Sequence, residues 1–131
     1  MKHLQQYRRT AKALTRCKSI SFSDSALHQT LPISGGIYMI SSKTNGKSKV
    51  LYIGKATSIR QRLYQNLLNG QLRSHTLSRK LISYAGLKNK RQVKNFLKMN
   101  CVAQWTQVQD ERERSFVEHY AIAHFRCPLN D

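Results

Sequence analysis

The stretch Val50-Leu51-Tyr52-Ile53-Gly54-Lys55-Ala56-Thr57-Ser58-Ile59-Arg60-Gln61-Arg62-Leu63 (VLYIGKATSIRQRL) changes from a strand pattern to a helix pattern at a glycine. Its first half is β-branched and aromatic, which predicts a buried strand. Its second half repeats apolar residues at helical spacing behind a threonine and a serine that can cap a helix. The stretch therefore predicts a strand, a tight connection and a helix whose arginines flank its apolar stripe.

A second strand pattern, residues 36–41, precedes this stretch and begins at a glycine. The connecting letters KTNGKSK contain Asn45-Gly46, a dipeptide that favours the tight turn of a β-hairpin. Residues 36–41 and 49–54 are therefore predicted to pair as antiparallel strands. Each of the two strands carries a tyrosine, Tyr38 and Tyr52, so the hairpin brings the two tyrosines close together.

The remaining patterns predict helices around this hairpin. Helices are expected over residues 4–17, 58–69, 75–85, 89–99 and 110–125, with a connector over 19–34 and a third strand over 101–108. The last helix has the predicted buried stripe Phe116, Val117, Tyr120, Ala121 and Phe125. The fold class is thus α+β, a three-stranded antiparallel sheet flanked by helices. We divide the chain into a basic N-terminal helix and connector, residues 1–33, and a domain over residues 34–131.

The charge of the chain points to a polyanionic partner. The sequence has 23 Lys and Arg against 6 Asp and Glu, a net charge of +17. No acidic residue lies between Asp24 and Asp110. One-signed charge repels itself, and nucleic acid is the usual partner that neutralises it. We therefore expect DNA, with RNA as an open alternative, and we expect no membrane partner. The candidate binding residues are Arg8, Arg9, Arg60, Arg73, Arg79 and Lys80.

Two features bear on where the protein works. The cysteines, Cys17, Cys101 and Cys127, are odd in number and lack a C-x-x-C pair, which indicates a reducing compartment. The first 23 residues are basic and acid-free. They fit a helix that lies on a phosphate backbone, and an organelle-import signal is the competing interpretation. The expectation is a cytoplasmic or nucleoid-associated protein.

Glu118 stands apart among the scarce acidic residues. Asp110, Glu111 and Glu113 fit the first turn of the last helix, where negative charge is favoured. Glu118 lies in the middle of that helix at the border of its apolar stripe. It fits either a surface pair with Arg114 or a ligand for a hard cation such as Mg²⁺. Because other carboxylates are scarce, any metal chemistry here would use one ion and one carboxylate.

The motifs resemble the GIY-YIG nuclease superfamily. GGIYMI followed by LYIGK is similar to its paired signature, and YIGKATSIRQR resembles the UvrC-type pattern Y-[IV]-G-K-A-x-x-[LI]-x-x-R. By that spacing the family's essential arginine is Arg62 and not Arg60. The ending VEHYAIAHFRCPLND resembles the family's catalytic glutamate and late asparagine, at Glu118 and Asn130, although Pro128 comes one place later than in the UvrC type. The resemblance covers residues 34–130.

The resemblance implies a divalent-metal-dependent endonuclease that hydrolyses DNA phosphodiesters with one Mg²⁺ or Mn²⁺ ion. Tyr38 would activate water, with Lys55 lowering its pKa, and Tyr52 would hydrogen-bond the phosphate. Arg62 would stabilise the charge of the transition state and Glu118 would hold the ion. Gly36, Gly54 and Asn130 would support the site.

Three questions stay open at the level of sequence. A non-catalytic basic nucleic-acid-binding protein is the alternative from another class, and a structure-directed or RNA-directed nuclease is the alternative within the family. The biological setting can be a phage or mobile element, a restriction-like system or repair. A monomer would nick one strand, whereas a double-strand break needs a homodimer or two events, and a partner for targeting is a further open possibility.

Overall fold

A four-stranded antiparallel sheet with the order β1-β4-β2-β3 forms the centre of the structure, a computed structural model that describes residues 2–130. The strands are β1 Ile20–Ser21, β2 Gly36–Thr44, β3 Lys47–Ala56 and β4 Cys101–Gln107. The α-helices are α1 Lys2–Arg16, α2 Leu27–Thr30, α3 Thr76–Tyr84, α4 Lys90–Asn100 and α5 Glu111–Phe125. A π-helix, Gln61–Leu68, and a 3₁₀ turn, Leu72–Ser74, lie between β3 and α3. The predicted α+β class and the extra N-terminal helix are confirmed.

The β2–β3 hairpin turns where the sequence predicts. Asn45 and Gly46 both have positive φ, 53° and 74°, as a two-residue turn of this hand requires. Both strands extend further toward the turn than predicted. Ile40 pairs with Tyr52 and the next residue, Ser41, pairs with Val50, so Leu51 is the extra residue of a bulge in β3.

The three-stranded prediction misses one strand, which lies inside the predicted connector. Ile20 pairs with Ala103 and Ser21 with Val102, so β1 adds a short antiparallel edge beside β4. A two-residue strand has no detectable alternation, which is why the pattern gave only a loop. The segment is not a free linker, because three of its apolar side chains are fully buried in the core: Phe22, Leu27 and Leu31.

The sheet separates two apolar layers. On one face, Tyr38 and Ile40 of β2 pack with the π-helix, α3 and α4. On the other face, Ile37 and Met39 pack with α1 and α5. Alternation along β2 produces this division, since successive side chains of a strand point to opposite faces. Below, the first is called the tyrosine face and the second the α5 face.

The helix α1 is docked on the α5 face. Ala11 and Leu14 are buried there, and Gln104 of β4 donates a hydrogen bond to the Cys17 carbonyl at 2.7 Å. The predicted buried stripe of α5 is wrong at Phe116, which is 41 % exposed. Its ring lies on the flank of α5 and contacts Tyr7 of α1, with centroids 6.1 Å apart.

The helix after β3 begins as predicted but widens into a π-helix. Ser58 Oγ accepts a hydrogen bond from the Gln61 amide at 3.2 Å, and the Asn69 amide donates to the Tyr64 carbonyl at 3.1 Å, five residues back. Such turns are rare and are frequently found at functional sites. Across residues 2–130, no helix combines the length and apolarity needed to cross a membrane.

Candidate active site

The two hairpin tyrosines lie side by side on the tyrosine face. Their ring centroids are 6.3 Å apart; Tyr38 is 1 % exposed and Tyr52 is half-buried. Gly54 is the β3 partner of Tyr38. A Cβ at Gly54 would lie 2.3 Å from Tyr38 Oη. The missing side chain therefore lets the Tyr38 hydroxyl rest directly over the edge strand.

Arg62 extends from the π-helix toward these tyrosines. Its Nη1 donates to the Ser74 carbonyl at 3.1 Å, and its positive charge acts on Tyr38 and Tyr52. Arg60 is directed elsewhere, because its Nε donates to the Leu31 carbonyl at 2.9 Å. The guanidinium of Arg60 thus ties the π-helix segment to the end of α2. This contact does not suit the predicted role of Arg60 in binding nucleic acid.

His75 completes this cluster, although no motif or pattern in the sequence marks it as a site residue. It is 1 % exposed, and its Nε2 lies 2.8 Å from Tyr38 Oη. Its ring centroid is 5.7 Å from that of Tyr52. Its Nδ1 accepts the Leu77 amide proton at 3.0 Å, which makes His75 the N-cap of α3. The only signal in the sequence is its place before a helix pattern, and histidine is not among the preferred capping residues.

Burial dominates the protonation of this cluster. It raises the pKa of Tyr38 far above the ordinary value; Tyr52 and Glu118 act in the same direction, while Arg62 opposes them. Burial also lowers the pKa of His75 to about 3, helped by the charges of Arg62 and Lys90. His75 is therefore neutral, and Tyr38 is a phenol when no substrate is bound.

The Lys55 side chain and the helix α5, which carries Glu118, lie on the other face of β3 from the tyrosines. Lys55 pairs with Ile37, so its side chain points to the α5 face, where Nζ donates to Ser115 Oγ at 2.8 Å. The predicted convergence of Lys55 with Tyr38 and Tyr52, and its lowering of the pKa of Tyr38, is therefore wrong. Strand alternation is the reason: Tyr52 and Gly54 share one face, and Lys55 takes the other.

Glu118 lies one turn beyond Ser115 on α5 and is half-buried. Burial raises the pKa of its carboxyl, while Lys55, through its ammonium and its backbone amide, and His119 act to lower it. The competing surface pair is not supported, because the Arg114 guanidinium donates to the Val108 and Gln109 carbonyls at 2.7 and 2.8 Å. Glu118 thus faces the edge strand beside Lys55.

Asn130 acts as a further strand partner at the open edge of β3. Its Oδ1 accepts from the Ile53 amide at 2.8 Å, and its Nδ2 donates to the Ile53 carbonyl at 2.7 Å. The Leu129 amide donates to the Leu51 carbonyl at 3.1 Å. These bonds hold the backbone on both sides of Tyr52, so Asn130 positions this tyrosine and Gly54. The displaced Pro128 does not disturb this contact.

The other predicted residues fall into three places. A Cβ at Gly36 would lie 2.2 Å from the Thr106 carbonyl oxygen, so this glycine allows β2 and β4 to approach. Arg73 is exposed on the 3₁₀ turn beside Ser74, while Arg79 and Lys80 line an open cleft of about 570 Å³ with Tyr84 and Leu129. Arg8 and Arg9 are exposed on α1, on the α5 side of the sheet.

The chemistry of the site suits one metal ion with few protein ligands. Within the described part of the chain, no group of three or more His, Cys, Asp or Glu side chains converges. Glu118 offers a carboxylate at the edge of β3. Mg²⁺ prefers such oxygen ligands and keeps several waters, so a single half-buried carboxylate fits it.

Comparison with known proteins identifies the family. The sequence model of the GIY-YIG catalytic domain matches residues 20–131. The chain belongs to the GIY-YIG catalytic domain family. No curated protein sequence matches the chain.

Solved structures share the fold. The N-terminal endonuclease domain of UvrC from Thermotoga maritima, bound to magnesium as its catalytic divalent cation, superimposes with a TM-score of 0.51 at 22% identity. This match covers 82% of this chain and 99% of that domain. A point mutant of the same domain, also bound to its catalytic cation, gives a TM-score of 0.51 at 22% identity over 82% of this chain and 98% of that one.

Proposed function

We propose that this protein is an endonuclease that hydrolyses DNA phosphodiesters with one divalent metal ion, Mg²⁺ or Mn²⁺. The observation that carries the proposal is the arrangement around Gly54. Tyr38, Arg62 and His75 meet beside the edge strand, and the Glu118 carboxylate, at the backbone amide of Lys55 in the same strand, acts on Tyr38 and Tyr52. A protein that only binds DNA has no need for a carboxylate beside its basic groups.

Glu118 would hold the ion, with water filling its other positions. When bound, the ion neutralises charge on the phosphate and on the leaving oxygen. Asn130 contributes indirectly, because it fixes the edge strand that carries Tyr52 and whose Lys55 amide meets Glu118.

The remaining groups act on the phosphate and the attacking water. Arg62 presents a guanidinium fixed by Ser74 to the charge that develops on phosphorus oxygens, a preorganised form of stabilisation. Tyr52, half-buried beside it, hydrogen-bonds the phosphate. Tyr38 takes the proton of the water as the new phosphorus–oxygen bond forms and the bond to the leaving oxygen breaks. This role requires the Tyr38 phenolate, which Arg62 favours and burial opposes.

The cleft beside α3 supports DNA as the substrate. Arg79, Lys80 and Tyr84 line it from the helix that His75 caps, and Arg73 lies two residues before that histidine. Basic groups that track the backbone together with an exposed aromatic ring are typical of nucleic-acid grooves. With one active site in each chain, a monomer nicks one strand.

Incubation with supercoiled plasmid tests the proposal. In Mg²⁺ we expect relaxed circles to accumulate first, because separate nicks precede any linear product. In EDTA the plasmid should stay supercoiled. A plasmid that is retarded on a gel but uncut in both Mg²⁺ and Mn²⁺ would instead identify the non-catalytic binding protein.

Binding should depend steeply on salt. If about 6–10 phosphates are neutralised, the logarithm of the binding constant falls linearly with the logarithm of salt concentration, with a slope near that number. Fluorescence anisotropy of a labelled duplex in EDTA measures this slope. An affinity that barely changes with salt would contradict the electrostatic interpretation.

Two double substitutions that remove the same amount of positive charge test which surface contacts the DNA. Replacing Arg73 and Arg79 by alanine should reduce the salt slope by about 2, since each lost phosphate contact reduces it by about one. Replacing Arg8 and Arg9 should reduce it by less, because α1 lies on the other side of the sheet from the cleft. Wild-type slopes for both variants would place the DNA elsewhere.

A further inference from the structure

His75 is the most buried titratable neighbour of Tyr38. The groups around it determine how many protons its imidazole carries and on which nitrogen. His75 precedes α3 on the tyrosine face and is 1 % exposed. Its ring centroid lies 6.1 Å from that of Tyr38 and 5.7 Å from that of Tyr52. The charged groups nearest to it, Arg62 and Lys90, are both cationic and disfavour a second proton on the ring. The ring therefore carries one proton.

The helix cap decides which nitrogen carries that proton. The Leu77 amide is a donor, and it points at His75 Nδ1 at 3.0 Å. Nδ1 must offer a lone pair to accept this bond, so the single proton of a neutral imidazole is on Nε2. Nε2 lies 2.8 Å from Tyr38 Oη. His75 is thus the donor in this contact, and the tyrosine oxygen is the acceptor.

This direction has a consequence for the hydroxyl proton of Tyr38. The proton cannot point at His75, because Nε2 already carries one. The second neighbour of the oxygen, the Arg62 guanidinium, has donors and no acceptor. The hydroxyl proton is therefore directed away from both groups. Once it has left, His75 Nε2–H remains as a donor to the phenolate oxygen, and the positive charge of Arg62 favours that oxygen's negative charge.

We propose that His75 is a positioning residue for DNA cleavage, whose Nε2–H holds the Tyr38 oxygen and leaves its proton free to depart. The inference rests on the proposed nuclease function. No net chemistry occurs at His75: the Tyr38 proton leaves to solvent, and the phenolate then accepts the proton of the attacking water. One imidazole ring thus caps α3 through Nδ1 and holds the water-activating Tyr38 through Nε2.

Two substitutions test the contributions of the two His75 ring nitrogens separately. His75→Asn retains an oxygen at the position of Nδ1 and is a favoured helix cap, but it loses the donor to Tyr38. His75→Gln retains an amide nitrogen at the position of Nε2 and gives up the cap. We expect kcat to fall about tenfold in His75→Asn with KM and melting temperature near wild type, since a lost hydrogen bond is worth up to about one order of magnitude. His75→Gln should keep most of kcat and lose thermal stability.

The opposite result overturns the proposal. A purely structural histidine predicts that kcat follows the melting temperature, so His75→Asn would cut like wild type and His75→Gln would be the impaired variant. Heteronuclear NMR of the wild-type imidazole adds a test that needs no variant: Nε2 should be protonated and Nδ1 not, and the reverse tautomer contradicts the inference. A wild-type protein that does not cut DNA would refute the nuclease function and leave the NMR result intact.

Discussion

Glu118→Gln is expected to abolish cleavage while leaving the protein folded and able to bind DNA. The substitution keeps the size of the side chain and removes the negative charge that a hard cation requires. Among residues 2–130, no group of three or more His, Cys, Asp or Glu side chains is available to hold the ion in place of Glu118. Plasmid cleavage in Mg²⁺ and duplex binding in EDTA, measured on the same preparation, give the two readouts.

Glu113→Gln is the matched control for this experiment. Glu113 lies on the same helix and undergoes the same change in charge, but it is on the flank near Tyr7 of α1. We expect wild-type cleavage and a loss of about 0.3–1 kcal/mol from the weaker interaction with the helix N-terminus. Binding by Glu118→Gln should equal or exceed that of wild type, because a negative charge is removed. Cleavage by Glu118→Gln in Mg²⁺ would disprove the one-carboxylate site.

Arg62→Ala is expected to reduce the cleavage rate by about 10²–10³, the effect of removing one preorganised donor to a developing oxyanion. The guanidinium is fixed by the Ser74 carbonyl and acts on Tyr38, Tyr52 and His75 at once. Its loss should therefore affect kcat more than duplex affinity. Single-turnover rates with saturating enzyme measure this effect without a contribution from binding.

Arg60→Ala is the control for Arg62→Ala: it removes another arginine from the same helical turn, so it shows whether the loss of rate is specific to Arg62. Arg60 donates to the Leu31 and Gln29 carbonyls, so its removal should lower the melting temperature and leave the rate of the folded fraction near wild type. Equal losses of cleavage rate in Arg60→Ala and Arg62→Ala would mean that the helix after β3 is aligned to the family pattern in the wrong register.

Local patterns predicted much of the fold, and the exceptions have physical causes. The Asn45–Gly46 hairpin and the helices that became α3, α4 and α5 follow from turn chemistry and periodicity. The strand β1 does not, because two residues have no alternation and its pairing with Ala103 is set by the distant strand β4. The π-helix is also unpredictable from the apolar stripe, which a regular α-helix would satisfy equally well.

The candidate site shows the same limit. Motif spacing places Tyr38, Tyr52, Arg62, Glu118 and Asn130 around one strand, and the structure is consistent with that placement. The side of the sheet on which Lys55 lies could have been predicted, since it follows Gly54 directly and alternation sends it to the other face. His75 could not, because its contact with Tyr38 joins residues 37 positions apart and depends on how α3 packs.

Single-turnover cleavage measured against Mg²⁺ concentration tests the one-ion mechanism most directly. Wild-type protein in excess over a labelled supercoiled plasmid should show no nicking in EDTA. As Mg²⁺ is added, the rate should rise to saturation with a first-order dependence on the ion, as expected when one carboxylate holds one ion. Nicking that persists in EDTA, or a rate that rises with the second power of Mg²⁺ concentration, would contradict the account.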